Sequence, residues 1–173
     1  MIFGEYFFKR KVRKLIEDSR SREHRFCNLD EAGSILILCR EEDRLAIEPQ
    51  LKKLRSMKKQ IRCVFSSKDA VSQPDDSSLL FIDKSKEADK YGIPNDEVSA
   101  KVAKIPADIL IDLSRGKCHV LKVLMLQHQA AFKIGESLPD SSFYDFSISM
   151  TERGGTADLF EYLLFYLQSI RSK

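Results

Sequence analysis

The chain lacks the short motifs that identify most nucleotide-binding and metal-binding proteins. Its 173 residues contain neither a GxGxxG nor a GxxxxGK[ST] phosphate loop. Its four cysteines form no CxxC pair, and none of its three histidines stands at zinc-finger spacing. We therefore predict no metal site among the cysteines and histidines and assign no cofactor. We expect the cysteines to be buried thiols that act as small apolar side chains.

Long apolar runs are also missing. No run approaches the roughly 20 residues that a membrane-spanning helix needs. The apolar start of the chain is interrupted by Glu5 and followed by positive charges, so we expect no signal peptide. Together with cysteines that follow no disulfide pattern, this favours a protein of the reducing cytoplasm.

Charge is spread unevenly along the chain. The composition, 43% hydrophobic and 32% charged, is that of an ordinary globular protein, and the net charge is only +3. Residues 1–25, however, hold eight Lys and Arg against four Asp and Glu. This local excess of positive charge indicates a possible anionic partner.

The first 22 residues have the pattern of an amphipathic helix. One face is apolar, with Phe8, Val12, Leu15 and Ile16, and we expect Phe3 and Phe7 to extend it. The other face is basic, with Lys9, Arg10, Arg13 and Lys14 as the candidate contacts for an anionic partner. We predict a basic N-terminal helix over residues 1–25 and a single α/β domain over residues 26–173. Three alternatives stay open for this helix: it packs on the domain, it lies on an anionic membrane surface, or it binds nucleic acid.

Six segments have the length and apolar content of β-strands: residues 34–39, 60–65, 78–83, 108–113, 130–134 and 143–150. The first five are almost continuously apolar, which is typical of parallel strands covered on both faces. The last alternates apolar and polar residues, as a half-exposed edge strand does. Helical patterns separate most of the strands, among them one from near Pro49 and one after a predicted cap at Thr156. We predict a three-layer α/β sandwich, Rossmann-like, with a mostly parallel sheet of five or six strands and an extra N-terminal helix.

Polar residues follow several predicted strands where they end. These candidate ligand-binding residues are Ser66, Asp83, Asp112, Ser114 and Arg115. Because ligands of open α/β sheets bind beyond the carboxyl ends of the strands, these side chains are candidates to bind a metal, a ribose or a phosphate. Aspartate also commonly ends strands simply because it forms turns, and that interpretation stays open.

Three segments carry a resemblance to a known family: Tyr91–Pro94 (YGIP), Asp108–Ser114 (DILIDLS) and Phe132–Gly135 (FKIG). With the basic amphipathic start, they resemble an uncharacterised family, a domain of unknown function, of Bacteroidetes-type bacteria. The resemblance implies a bacterial cytoplasmic protein and provides no catalytic residue.

The sequence alone therefore leaves function open. The leading hypothesis is a binding or interaction domain. The alternatives are an enzyme acting on a nucleotide or sugar phosphate at the carboxyl ends of the strands, and a membrane-surface adaptor that uses the N-terminal helix.

Overall fold

All six predicted strands are present and form one parallel sheet. The computed structural model describes residues 2–69, 72–139 and 141–171. The strands are β1 (Ser34–Arg40), β2 (Gln60–Ser67), β3 (Leu79–Asp83), β4 (Ile109–Asp112), β5 (Phe132–Glu136) and β6 (Phe146–Ile148). Their order across the sheet is β3-β2-β1-β4-β5-β6, and every pair is parallel.

Helices cover both faces of this sheet. They are α1 (Ile2–Ser19), α2 (Arg44–Arg55), α3 (Lys84–Glu87), α4 (Asp96–Ala103), α5 (His119–Gln127) and α6 (Thr156–Ser169), with a 3-10 turn at Glu41–Asp43. Helices α2 and α6 pack on one face, and α1, α4 and α5 lie on the other. This arrangement confirms the three-layer, Rossmann-like α/β prediction.

Strand β1 shows why the predicted strands are continuously apolar. Ile35 and Ile37 enter the core beneath α2 and α6, whereas Leu36 and Leu38 enter the core beneath α5. All four are fully buried. Successive side chains of a strand point to opposite faces, so a strand with a core on each side needs apolar residues at every position.

Two helix boundaries differ from the sequence prediction. Helix α2 begins at Arg44, directly after the 3-10 turn, so Pro49 lies inside it. Helix α2 ends at Arg55, and Met57, which lies beyond it, is 38% exposed. Thr156 is the first helical residue of α6 and not its cap. The cap position belongs to Gly155, whose N–H donates to the Asp158 carboxylate at 2.8 Å.

Helix α1 packs on α5 through a narrower face than expected. Phe8, Val12 and Leu15 are buried, and the Phe8 ring stacks on His119 with centroids 3.7 Å apart. Phe3 and Phe7, predicted to extend this face, are 79% and 49% exposed. At 100° per residue they lie about 140° and 100° around the helix from Phe8, so they cannot share its contact with α5.

The remaining expectations concern burial. All four cysteines are free and buried, as predicted. Phe165, predicted on the polar face of the last helix, is 61% exposed. No helix in the described part of the chain is both long enough and apolar enough to cross a membrane.

Candidate ligand-binding site at the carboxyl edge of the sheet

The order of the strands creates a crevice between β1 and β4. From β1 the chain builds the sheet outward through β2 and β3, and it then returns to build the other half from β4. The loops after β1 and β4 therefore diverge, and open α/β sheets bind ligands at this point. A cavity of about 210 Å³ lies beside this crevice, mainly at the ends of β1 and β2; its lining residues are Arg40, Glu41, Glu42, Ser66, Ser67, Lys68, Asp69, Lys84 and Lys117.

Two serine hydroxyls from the end of β2 belong to this cavity. Ser66 and Ser67 are both buried. The Ser66 hydroxyl forms a hydrogen bond with the Cys118 thiol at 3.1 Å, which ties the end of β2 to the start of α5. The Ser67 hydroxyl accepts the Asp69 N–H at 3.2 Å. These contacts fix the two side chains where the strand ends.

Three lysines give one side of the cavity its positive charge. Lys68 follows β2, Lys84 opens α3, and Lys117 lies in the loop before α5. None of the three forms an ion pair with another described residue. The adjoining N-terminus of α5 adds to the positive potential. The side chain of Cys118, at the cap position, accepts no hydrogen bond from the N–H groups of the first helical turn. This side of the cavity suits an anion.

The opposite side is acidic. A Rossmann-type domain with a glycine-rich loop binds phosphate in the turn after β1. Here that turn is Glu41–Asp43, and Arg40 pairs with Glu42 and, at 2.7 Å, with Asp43. Carboxylates repel a phosphate but accept hydrogen bonds from hydroxyls and amines. The cavity is therefore asymmetric: an anionic group suits the lysine side, and a neutral donor suits the side of Glu41.

The sequence-predicted residues lie at different places along this edge, and of the five only Ser66 is among the described residues that line the cavity. Asp83 caps α3: its carboxylate accepts the hydroxyl and the N–H of Ser85, and the hydroxyl bond is the main reason why its pKa is lowered. Arg115 forms a two-pronged ion pair with Glu136, at 2.9 and 3.2 Å. These two side chains hold loops in place.

Asp112 and Ser114 are buried below the edge. One Asp112 carboxylate oxygen accepts the Ser114 N–H at 2.9 Å, and the other accepts the Tyr144 hydroxyl at 2.6 Å. Burial raises the pKa of Asp112, an effect that these hydrogen bonds oppose. The Ser114 hydroxyl has no hydrogen-bond partner among the described residues. The Asp112 side chain therefore stabilises the turn after β4.

Sequence reasoning missed the three cavity lysines. A signal was present, because Lys68 and Lys84 directly follow the polar residues that end β2 and β3. The candidate residues at the strand ends were carboxylates, hydroxyls and Arg115, and the lysines beside them were not among the candidates.

The basic residues predicted to bind an anionic partner are not part of this cavity. Lys9, Arg10, Arg13 and Lys14 are exposed along α1. Arg22, which contributes to the charge excess of residues 1–25, is buried instead. Its guanidinium donates to the Ala130 carbonyl at 2.8 Å and to Asp145 at 2.6 Å. The charge of Arg22 is therefore paired with Asp145 inside the fold and does not contribute to an exposed basic surface.

A second, larger cavity of about 450 Å³ lies between α2 and α6, with Leu54, Met57, Tyr162 and Phe165 among its lining residues. It is mostly apolar. Within the ranges that the structure covers, no three His, Cys, Asp or Glu side chains are placed to hold a metal ion.

The strand order, and the crevice where the loops after β1 and β4 diverge, define a Rossmann-like α/β domain that lacks the glycine-rich phosphate loop. The chain belongs to the family of unknown function DUF6913, whose model matches residues 5–170. This agrees with the expected resemblance to a family of unknown function. No curated protein matches the chain.

Proposed function

We propose that this chain is a binding domain for a small phosphorylated ligand, held at the carboxyl edge of the sheet by Ser66, Lys84 and Lys117. One observation carries the proposal. Three lysines without an acidic partner among the described residues line a single cavity, next to two buried serine hydroxyls. A phosphate group would receive charge-assisted hydrogen bonds from the ammonium groups and neutral ones from the hydroxyls.

The size of the cavity limits the ligand. Ligand pockets usually measure about 300–1,000 Å³, and this one measures about 210 Å³. It suits a sugar phosphate or part of a mononucleotide rather than a dinucleotide. Its acidic side supports the same choice, because Glu41 and Asp69 would accept hydrogen bonds from ligand hydroxyls.

Binding is proposed in preference to catalysis. An enzymatic role would depend on the Asp112 carboxylate, but both of its oxygens accept hydrogen bonds from within the fold. Asp83 does not line the cavity, and one of its carboxylate oxygens accepts the hydrogen bonds that cap α3. Neither carboxylate is therefore positioned to act as a general base on a ligand in the cavity.

A thermal-shift titration with inorganic phosphate, ribose 5-phosphate and AMP tests the proposal. A probe at about 100 times its dissociation constant adds roughly 2.7 kcal/mol, or about 5–11 °C in Tm for a chain of this size. The double variant Lys84→Met/Lys117→Met should lose this shift. The matched variant Lys52→Met/Lys53→Met, which changes two exposed lysines on α2, should keep it.

Two outcomes would refute this function. One is the absence of a shift with all three probes at millimolar concentration. The other is an equal shift in the Lys84/Lys117 variant, which would place the bound anion elsewhere.

We also infer a bacterial, cytoplasmic protein in which residues 26–173 form the domain and residues 1–25 an appended helix. The resemblance noted above and the four free, buried cysteines support this setting. Expression of residues 26–173 alone tests the division of the chain. A cooperative unfolding transition would support it, and the absence of one would show that α1 is part of the core.

A further inference from the structure

Helix α1 carries a second exposed surface, distinct from the cavity, which we call the α1 outer face. It consists of six side chains, Ile2, Phe3, Tyr6, Arg10, Arg13 and Lys14; the exposed carboxylate of Glu17 lies on the same arc, three residues beyond Lys14. At 100° per residue these side chains fall within about 120° of the helix circumference, opposite the buried face. All six are exposed, and Ile2, Phe3 and Tyr6 are 84%, 79% and 59% exposed.

The apolar part of this face is large for a water-exposed surface. With Phe7, which is 49% exposed beside it, the four side chains leave roughly 500 Å² uncovered, taking about 150–250 Å² for each large side chain. This equals the largest apolar patch of a typical monomer, and such patches are often functional. The Phe7 ring lies 6.0 Å from the Tyr91 ring, but packing within the fold does not account for Ile2, Phe3 and Tyr6. Helix α1 is attached to α5 through the other face, by Phe8, Val12 and Leu15.

The basic part lies farther along the same stripe. Arg10, Arg13 and Lys14 form no ion pair within the described residues, and neither does Lys9 beside them. Four cations are thus exposed without a partner on a single helix. They are complementary to a negatively charged surface rather than to another part of this chain.

The two parts follow one another along the helix axis. The apolar residues occupy positions 2–7 and the cations positions 9–14, so their centres are about 10.5 Å apart at 1.5 Å per residue. Amphipathic segments bury their apolar side chains about 5–10 Å into the boundary between headgroups and acyl chains of a membrane. Inserting the first turns of α1 to that depth would leave the cations at the level of the phosphates.

We propose that the α1 outer face docks on the surface of an anionic phospholipid bilayer, with Ile2, Phe3 and Tyr6 inserted and Arg10, Arg13 and Lys14 against the headgroups. A nucleic-acid duplex fits this face less well, because its phosphates and base edges are polar and would leave Ile2 and Phe3 exposed to water. The protein binds peripherally in this arrangement. The face that α1 buries against α5 stays in place.

Vesicle co-sedimentation of the full chain tests the proposal. The probes are vesicles of pure phosphatidylcholine and vesicles containing about 30% phosphatidylglycerol, at about 50 mM and about 500 mM NaCl. The protein should bind the anionic vesicles at low salt and bind neutral vesicles much more weakly. Each basic residue near an anionic surface contributes about fivefold in affinity, so Arg10→Gln/Arg13→Gln/Lys14→Gln should weaken binding at least tenfold and reduce its salt dependence.

A second variant separates insertion from charge. Phe3→Ser/Tyr6→Ser should weaken binding at least tenfold at both salt concentrations, because it removes the inserted side chains. The matched variant Tyr162→Ser/Phe165→Ser, which changes two exposed aromatics on α6, should bind like the wild type. All these side chains are exposed, so thermal unfolding of each variant should match that of the wild type.

Three results would overturn the proposal. The first is no sedimentation of the wild-type protein with anionic vesicles. The second is sedimentation that the Phe3/Tyr6 variant leaves unchanged. The third is salt-dependent binding of a short single-stranded RNA that needs Arg10 and Arg13 but not Phe3, without any vesicle binding. The thermal-shift experiment on the cavity is independent of all three.

Discussion

Lys133 is an ionisable side chain in the core, and replacing it with methionine should change how stability depends on pH. The residue is 1% exposed. Its ammonium donates to the carbonyls of Met125 and Leu126 at the end of α5, at 2.6 and 3.4 Å. Burial, reinforced by nearby Arg22, lowers its pKa from 10.5 to about 7.

The magnitude follows from this pKa. Between pH 7 and 10.5 the unfolded chain keeps the Lys133 proton, whereas the folded chain releases it. Stability contributed by this residue is therefore present above pH 10.5 and is lost as the pH falls towards 7. The full loss is about 5 kcal/mol, of which about 2 kcal/mol occurs between pH 9 and pH 7.

Urea unfolding at pH 7, 8 and 9 measures the effect. We expect the stability of the wild type relative to Lys133→Met to fall by about 2 kcal/mol from pH 9 to pH 7. Ionisation of the buried thiols, whose pKa values burial raises, occurs in both chains and cancels in this comparison. Lys104→Met, which changes an exposed lysine, should show no such difference.

Parallel stability curves for the wild type and Lys133→Met would refute the reasoning. They would mean that the Lys133 ammonium keeps an ordinary pKa in the folded protein. A curve of opposite slope would mean that a carboxylate stabilises the charged form more than burial destabilises it.

Three further substitutions test contacts around β5. Gly135→Ala would place a methyl group 2.6 Å from the Tyr144 ring and should destabilise the fold by about 1–3 kcal/mol, seen as a lower Tm. The control is Gly33→Ala, whose methyl group meets nothing nearer than 3.5 Å. Equal Tm values for the two variants would contradict the prediction. Tyr144→Phe removes a donor from buried Asp112 and should cost about 1–3 kcal/mol in urea unfolding, so an unchanged midpoint would show that the hydroxyl bond is dispensable. Arg22→Gln removes the donor to the Asp145 carboxylate and to the Ala130 and Ala131 carbonyls, and it should lower the free energy of unfolding by about 3–5 kcal/mol. A decrease below about 1 kcal/mol would mean that water replaces the guanidinium.

The strands were predictable because their signal is local. An apolar run such as residues 34–39 has few alternatives once helix periodicity is absent, and all six predicted strands are observed. The first helix was predictable for the same reason. Its contact face was overestimated at Phe3 and Phe7, because the sequence does not show how far α5 extends beneath it.

The candidate site was predictable only as a location. Strand ends converge in any parallel sheet, so the edge followed from the fold class. Which polar groups reach the cavity depends on contacts between distant residues. Asp112 is buried because Tyr144, 32 residues later, donates to it, and no local pattern records that pairing. The burial of Lys133 was not predicted either, although its position in a strand that is covered on both faces indicates a buried side chain.

The position of β1 at the centre of the sheet has a consequence for folding. Strand β1 pairs with β2 soon after both have been synthesised, but its other edge waits for β4, and the pair Ser34 and Asp108 at the start of these strands is 74 residues apart. Until then the hydrogen-bonding edge of Ser34–Arg40, an almost wholly apolar strand, stays open to other chains. Closing such a distant parallel pair is slow because the loop entropy is lost before the contacts form. A nascent chain of this protein should therefore be most prone to aggregate while residues 41–108 are being made and least prone once β4 has docked.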